Sequence, residues 1–292
     1  MIDMKEAMFY RKKKDKIVQC IACNRRCIIN DGKTGFCKVR KNIDGILYSL
    51  VYGKPVALHV DPIEKKPIFN FLPGTKTLSF GTYGCNFDCD FCQNYDISNV
   101  GKEDKIKAIK EVTPKEIVAL AIKNNCPSIS YTYTEPTIFI EFAIEIMELA
   151  KEKGIRNIWV TNGYMSKDAA KEIVKFLDAA NIDLKGNASF YKRLVNDTDV
   201  KKVLENIKYF YQKGVHIEVT NLLIEGENTK PKEIEWLCKE VTKISKDIPL
   251  HFSKSFPHYK MKRISPTKIT SLKLAETIAK KEGIKKVYLG NL

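Results

Sequence analysis

The sequence predicts an α/β fold, a partial or open β/α barrel over residues 78–292 behind a small, irregular, cysteine-rich N-terminal region over residues 1–77. Three observations lead there. First, seven short strand-like runs alternate with helical patterns from Leu78 to Asn291, as expected of a parallel array. Second, this span falls short of the roughly 250 residues of a full eight-fold barrel, which favours an open barrel. A doubly wound sheet is the main alternative. Third, seven of the nine cysteines fall in two groups, one in each region.

The elements follow in order. After the first cysteine group come short strand-like pieces, ILYSLVYG and PVALHV, then the run DPIEKKPIFNFLPG. The array strands are TLSFGTYG, SISYTYT, NIWVTNG, NIDLKG, HIEVTNLLI, PLHFSK and KKVYLGN. Each is short, mostly β-branched or aromatic, and bounded by turn residues. Between them, Thr113, Pro114 and Glu116 form a capping box with Pro at the first helical position. Ser166 caps a helix over Lys167–Leu177. In the pattern Pro136–Ala150, Glu141, Glu145 and Glu148 share one narrow face and the rest is apolar, so this helix is mostly buried. Ligands of parallel folds sit at the carboxyl ends of strands. The candidates are therefore the loop after Gly84, Glu135, Asn162, Asp183–Lys185, Asn221 and His251.

Composition narrows the function classes. The apolar and charged fractions are those of a globular chain, which argues against disorder. No apolar run reaches the roughly 20 residues of a membrane span. A basic stretch near the N-terminus has no apolar segment behind it, so a secretory signal is not expected and the expected location is cytoplasmic. The net charge of +15 admits a nucleic-acid partner, but the lysines are dispersed, as on a Lys/Glu-rich surface, and nucleic acid is not favoured. The stretch KYFYQK continues an apolar helical pattern and reads as a helix packing its aromatics inward. Cys126 and Cys238, outside both groups, read as small core residues.

In a reducing compartment, clustered cysteines point to metal or catalysis rather than disulfides. Cys85, Cys89 and Cys92 lie on one loop with spacing x3 and x2, directly after the first array strand. Three thiolates hold three irons of a cubane cluster and leave the fourth iron open to a chelating small molecule. A structural zinc would want four protein ligands. Gly84 allows a sharp turn, and Phe91 can shield a cluster from water.

The run CNFDCDFC, with Phe91 before the last cysteine, resembles the signature of the radical S-adenosylmethionine superfamily. GTYGCNFDCDFCQN, YTYTEPTI, WVTNGY, NIDLKG, EVTNLLIEGEN and PLHFSKSFPHYKM occur in that order. The set is similar to the activating enzymes of pyruvate formate-lyase. With VDPIEKKP and the cysteine-rich N-terminus, it is more similar still to AmmeMemoRadiSam system radical SAM proteins. The resemblance runs from about Cys20 to Asn291.

It implies a [4Fe–4S] cluster on Cys85, Cys89 and Cys92 that binds S-adenosyl-L-methionine and cleaves it reductively to a 5′-deoxyadenosyl radical. Tyr133 and Glu135 would flank the methionine amine, although the Gly-Gly-Glu common in the superfamily is absent. Thr161, Asn162 and Gly163 would lie near the carboxylate or ribose, Asp183 and Lys185 near the cofactor, and His251 near the adenosyl group. Each has a plainer reading: a strand-to-helix turn for Asn162–Gly163, a helix N-terminal charge for Glu135, an ion pair for Asp183, a core histidine for His251. The implied partners are a protein or small-molecule substrate and a reductant such as ferredoxin or flavodoxin. A radical enzyme that modifies RNA and a zinc-stapled binding module are the rival readings. The catalytic residues and the oligomeric state are left open.

Cys20, Cys23, Cys27 and Cys37 lie within a turn-rich stretch that buries little apolar surface, so a metal is expected to order it. Zinc on four cysteines and a second iron–sulfur cluster both fit. Relatives commonly continue past YLGN into a segment with further cysteine pairs, whereas this sequence reaches Leu292.

Overall fold

The computed structural model describes residues 4–99 and 103–292. The chain begins with two small antiparallel sheets made from β1 (Lys5–Glu6), β2 (Tyr10–Lys12), β3 (Val18–Cys20), β4 (Ile28–Ile29), β5 (Arg40–Ile43) and β6 (Ile46–Ser49). Their orders are β1-β6-β5 and β2-β3-β4. β7 (Pro55–Pro62) then enters the main sheet, antiparallel to β8 (Lys76–Thr82). The segment 55–62, expected within the N-terminal region, is thus an edge strand of the sheet that follows.

From β8 the chain winds one way. β9 (Ser128–Tyr131), β10 (Arg156–Thr161), β11 (Ala179–Asp183), β12 (His216–Leu223), β13 (Leu250–Lys254) and β14 (Val287–Gly290) each pair in parallel with the strand before. All seven expected strands are present. β7 and β14 are the edges of an eight-stranded sheet, so the barrel is open.

The alternation of side chains decides what each face does. Leu78 and Phe80 of β8 point outward, where Phe80 packs on Tyr131, Phe139 and Phe142 under the helical layer. Thr77 and Ser79 point inward with Ser128 and Ser130, and Thr77 Oγ1 lies 2.8 Å from Ser130 Oγ. The inner face is polar at these strands, and the residues 63–74 between β7 and β8 lie across it, with Ile63 and Ile68 packed on Ile158 and Ala179. The Phe69 and Asn70 amides donate to Glu218 Oε1 at 2.9 and 2.7 Å. Asn181 donates to the Pro67 carbonyl. Asn70 Oδ1 accepts from Lys286 and Tyr288 at the β14 end. Side-chain bonds thus span the gap that strand pairing leaves open.

Among the helices, α1 (Tyr95–Ser98) and α2 (Glu103–Lys107) are single turns, and α3 (Pro114–Lys123) starts at the expected capping box. The run Pro136–Ala150 divides: Pro136–Phe139 is a 3₁₀ turn, and α4 is Ile140–Glu152. α5 (Lys167–Ile173) is capped by Ser166 as expected but ends a turn early. α6 (Ala188–Leu194), α7 (Val200–Gln212), α8 (Pro231–Thr242) and α9 (Ile269–Lys281) complete the outer layer. In α7, Phe210 is buried whereas Tyr211 is exposed, so the aromatics of KYFYQK point inward only in part. Cys126 and Cys238 are buried core residues. Among the described residues no helix is long and apolar enough to cross a membrane.

The acidic stripe of α4 is where the N-terminal region docks. Arg40, only 2 % exposed, meets the buried Glu141 with Nη2 to Oε1 at 2.5 Å. The Met8 amide also donates to Glu141, and Lys5 pairs with Glu145 at 2.7 Å. Tyr52 donates its hydroxyl to Glu145. Removing one member of a buried ion pair strands the other. Arg40→Met is therefore expected to cost about 3–5 kcal/mol in denaturant unfolding, and pairing it with Glu141→Leu should recover most of that loss.

A second expectation concerns acid. Burial raises the Glu218 carboxyl, but bonds from His216, His251 and the Asn70 amide outweigh it and hold it at about 2, below its ordinary 4.5. A depressed carboxyl stabilises the fold above its unfolded value and loses that contribution as pH falls towards its folded value. Unfolding free energy measured from pH 5 to 2 should fall less steeply in Glu218→Gln than in the parent chain.

Candidate functional site

The loop after β8 is held from several sides. The Gly84 amide donates to Ile97, Asp90 N to Leu194 O, and Lys260 N to Asp90 O. Gly84 has φ of +92°, and a Cβ there would come 2.7 Å from the Cys37 carbonyl, so only glycine serves. Phe87 and Phe91 anchor the loop: Phe87 packs against Tyr164 and Tyr191, and Phe91 against Phe190. With the aromatics turned into the core, Cys85, Cys89 and Cys92 all line one cavity, shared with Phe36, Tyr95, Asn99 and Tyr259. Asp88 and Asp90, lying between the cysteines in sequence, both bind Lys260 at 3.0 Å. They are occupied as ion-pair partners rather than as competing metal ligands.

Burial raises the Cys85 thiol well above its ordinary range, and the nearby Glu135 carboxylate adds to the effect. Burial likewise pushes Cys89 up to about 12, against the pull of Lys185. These thiols hold their protons until a metal displaces them, so assembly of a centre here releases protons.

Glu135 organises the strand ends beside Cys85. It is 1 % exposed and accepts from Thr137 N and Oγ1, from Thr161 Oγ1, and from Asn162 N. Burial raises its carboxyl, and these donors act in the opposite direction. Thr161 Oγ1 in turn accepts from the Gly163 amide. Gly163 has φ of +70° and sits so tightly that a Cβ would lie 2.8 Å from Ile182 Cγ2. Asn162 Nδ2 donates to Asn86 Oδ1 at 2.7 Å and lies 4.0 Å from Cys85 Sγ. Glu135, Thr161, Asn162 and Gly163 thus form one bonded unit at the cysteine loop.

Other candidates are placed differently. Tyr133 has φ of +65° in a tight turn closed by Thr134 N to Thr132 O, and its carbonyl accepts from Asn94 of the cysteine loop. Its phenol, however, reaches Asp61 at 2.7 Å with Lys66 4.4 Å above the ring. Asp183 pairs with Lys185 at 2.8 Å, and the Lys185 ammonium lies 5.8 Å from the Phe91 ring. His251 donates from Nε2 to the Glu218 carboxylate at 2.6 Å and packs on Phe69 and Tyr288. It belongs to the network under residues 63–74, and Nε2 is occupied there.

Cys20, Cys23, Cys27 and Cys37 line a second cavity, together with Arg25, Arg40, Phe36 and Asn86. Among the described residues, no three His, Cys, Asp or Glu side chains gather closely enough to hold a single metal ion. Three thiols lining one cavity suit a [4Fe–4S] cluster held by three cysteines, with its remaining position left to a small molecule.

Sequence reasoning missed Asn86 and Arg25. Asn86 accepts from Asn162 through its side chain and from Arg25 Nε through its carbonyl at 2.5 Å. Its position one residue after Cys85 was the available signal. Tyr95 and Tyr259, stacked with centroids 4.9 Å apart at the cavity wall, come from distant segments and carry no sequence signal.

Comparison with known proteins adds the family. The model of the Radical SAM superfamily matches residues 80–237. An uncharacterised protein of Methanocaldococcus jannaschii is 45 % identical over 290 residues, 99 % of this chain and 86 % of its own. The pyruvate formate-lyase-activating enzyme of Clostridium pasteurianum is 25 % identical over 184 residues, 59 % of this chain and 71 % of its own. The solved radical SAM methyltransferase of Sphaerobacter thermophilus superposes with a TM-score of 0.57 at 16 % identity, covering 75 % of this chain and 67 % of that one, a likeness of fold. With the match spanning more than half its length, the chain belongs to the radical SAM superfamily, enzymes that use a [4Fe–4S] cluster and S-adenosylmethionine.

Proposed function

We propose that this chain reductively cleaves S-adenosylmethionine at a cluster held by Cys85, Cys89 and Cys92, and that the radical takes a hydrogen atom from a polypeptide substrate. One observation carries the reading: three thiols of a single loop open on one cavity, and the acids beside them are committed to Lys260. When bound, the cluster and the sulfonium supply the electron and the 5′-deoxyadenosyl radical.

The protein's part is orientation and exclusion. Phe87 and Phe91 keep water from the inner side of the loop. The Phe87 amide points at Cys85 Sγ, 3.4 Å away, and stabilises a thiolate there. The Lys185 ammonium favours the thiolate of Cys89. Glu135 fixes Thr161 and Asn162, and Asn162 Nδ2, 4.0 Å from Cys85 Sγ, holds the strand end against the cysteine loop. The buried Glu135 has only neutral donors around it, so it also supplies uncompensated negative potential to a cationic sulfonium. A polypeptide substrate is supported by the activating-enzyme relative, and a low-potential ferredoxin or flavodoxin is the reductant in this reading.

Anaerobic reconstitution with iron and sulfide, followed by dithionite and S-adenosylmethionine, should yield 5′-deoxyadenosine, measured by chromatography. Protein that binds iron yet forms none would refute the proposal. Cys89→Ala should abolish the product, and persistence of cleavage would show that these are the wrong ligands. Glu135→Gln keeps the shape but replaces one acceptor oxygen by an amide facing donors. A loss of about 10–100-fold in turnover is expected, as for other partners that orient ligands, with the fold retained by circular dichroism.

A further inference from the structure

The four N-terminal cysteines converge by local geometry. The β3–β4 hairpin sets Cys20 opposite Cys27, with Cys20 N donating to Cys27 O at 2.9 Å. Cys23 lies in the hairpin tip, turned by Arg26 N to Cys23 O. Cys37 arrives from the next loop, whose Phe36 amide points at Cys27 Sγ, 3.5 Å away. Apart from the cysteines, the cavity walls carry two guanidinium groups.

Those cations distinguish the guest. Arg25 Nη2 and Arg40 Nε are buried and have no hydrogen-bond partner, although Arg40 is 2 % exposed and otherwise committed to Glu141. A buried donor without an acceptor is costly, so the cavity calls for an anionic guest rich in acceptor atoms. A tetrahedral zinc takes all four thiolates and brings no further acceptor. A cubane cluster brings bridging sulfides, which accept hydrogen bonds.

The position of the cavity gives it a partner. Phe36 lines both this cavity and that of Cys85, Cys89 and Cys92. The Cys37 carbonyl touches Gly84, the neighbour of Cys85, and Arg25 bonds the Asn86 carbonyl on its other side. The two groups of cysteines are separated by one layer of side chains.

We propose that Cys20, Cys23, Cys27 and Cys37 hold a second [4Fe–4S] cluster, ligated wholly by protein, that exchanges an electron with the centre on Cys85, Cys89 and Cys92. The exchange, but not the second site itself, rests on the function proposed above. A low-potential one-electron donor protein gives one electron to the N-terminal cluster, which passes it across the Phe36 layer and returns to its oxidised state. No bond is made or broken in the transfer.

Three reconstituted proteins test this, each checked for fold by circular dichroism. The Cys85→Ala, Cys89→Ala, Cys92→Ala triple variant should keep about four irons and four sulfides per chain. On reduction it should show a paramagnetic signal unchanged by S-adenosylmethionine. Zinc without sulfide, or no metal, in that variant would overturn the site. The Cys23→Ala, Cys27→Ala variant should keep the other cluster, with a signal that shifts on addition of S-adenosylmethionine. Absence of that shift counts against the proposed function and leaves the second site standing. Fully reduced parent protein should give a spectrum broadened by spin coupling. A plain sum of the two variants' spectra would overturn the electron exchange.

Discussion

The site depends on one buried carboxylate. Glu135 lies just past the end of β9 and accepts hydrogen bonds from the 3₁₀ turn that follows it and from the end of β10. Parallel strands pair through their backbones only as far as the ladder runs, and β9 ends at Tyr131. Beyond it, the loops that carry chemistry need another source of order. A carboxylate with several acceptor sites can bind donors from two strand ends at once, which a neutral side chain of that size cannot. Burial raises its carboxyl, yet the donors it collects are what fix Thr161 and Asn162. Asn162 then reaches Asn86, so order passes from the carboxylate to the cysteine loop through one further bond.

The same economy governs the N-terminal region. Its two small sheets bury a core of only a few residues, including Ala7, Val18, Ile29 and Leu47. Such a core is marginal by itself. The region is stabilised by docking on α4 through Arg40 and Lys5, and on the residues after β10. There Asn24 donates to Tyr164 and Met165, and the Ser166 amide to Ala22. The cysteine-rich hairpin is therefore seated on the strand ends that form the site, and the wall between the two cysteine groups is common to both.

Much of this was legible in the sequence because it is local. Strand runs such as NIWVTNG and NIDLKG declare themselves by length, composition and turn residues, and their parallel order follows from the helices between them. The capping box at Thr113 and the cap at Ser166 are formed as read. The cysteine groups are legible because a ligand loop needs its thiols at short spacing. What was not legible is tertiary. The stripe Glu141, Glu145 and Glu148 is legible as one face of a helix, but only the fold shows that Arg40 and Lys5 cover the first two. Helicity through Pro136–Ala150 was correct in outline, yet its first turn, capped by Glu135, is 3₁₀. The strand-end rule placed Glu135, Asn162 and His251 alike. It could not see that residues 63–74 lie across the inner face and occupy His251.

That crossing segment explains why an open sheet has a settled interior. A polar inner face needs either water or partners for its serines, asparagines and acids. Asp61 takes Lys65 and Lys66, and Lys66 is 3 % exposed with its ammonium against the Tyr133 ring. Glu218 takes two histidines and two backbone amides. The acids on this side of the sheet are thus bound internally, in large part by the sequence DPIEKKPIFN folding back over its own strands. At the other end, the thiols and the Tyr95–Tyr259 pair face a cavity instead. An open barrel whose one face is stopped by its own chain directs ligand chemistry to the cysteine loop. The positive φ of Tyr133 is where the backbone turns between those regions, with its phenol bound to Asp61 and its carbonyl bound to Asn94.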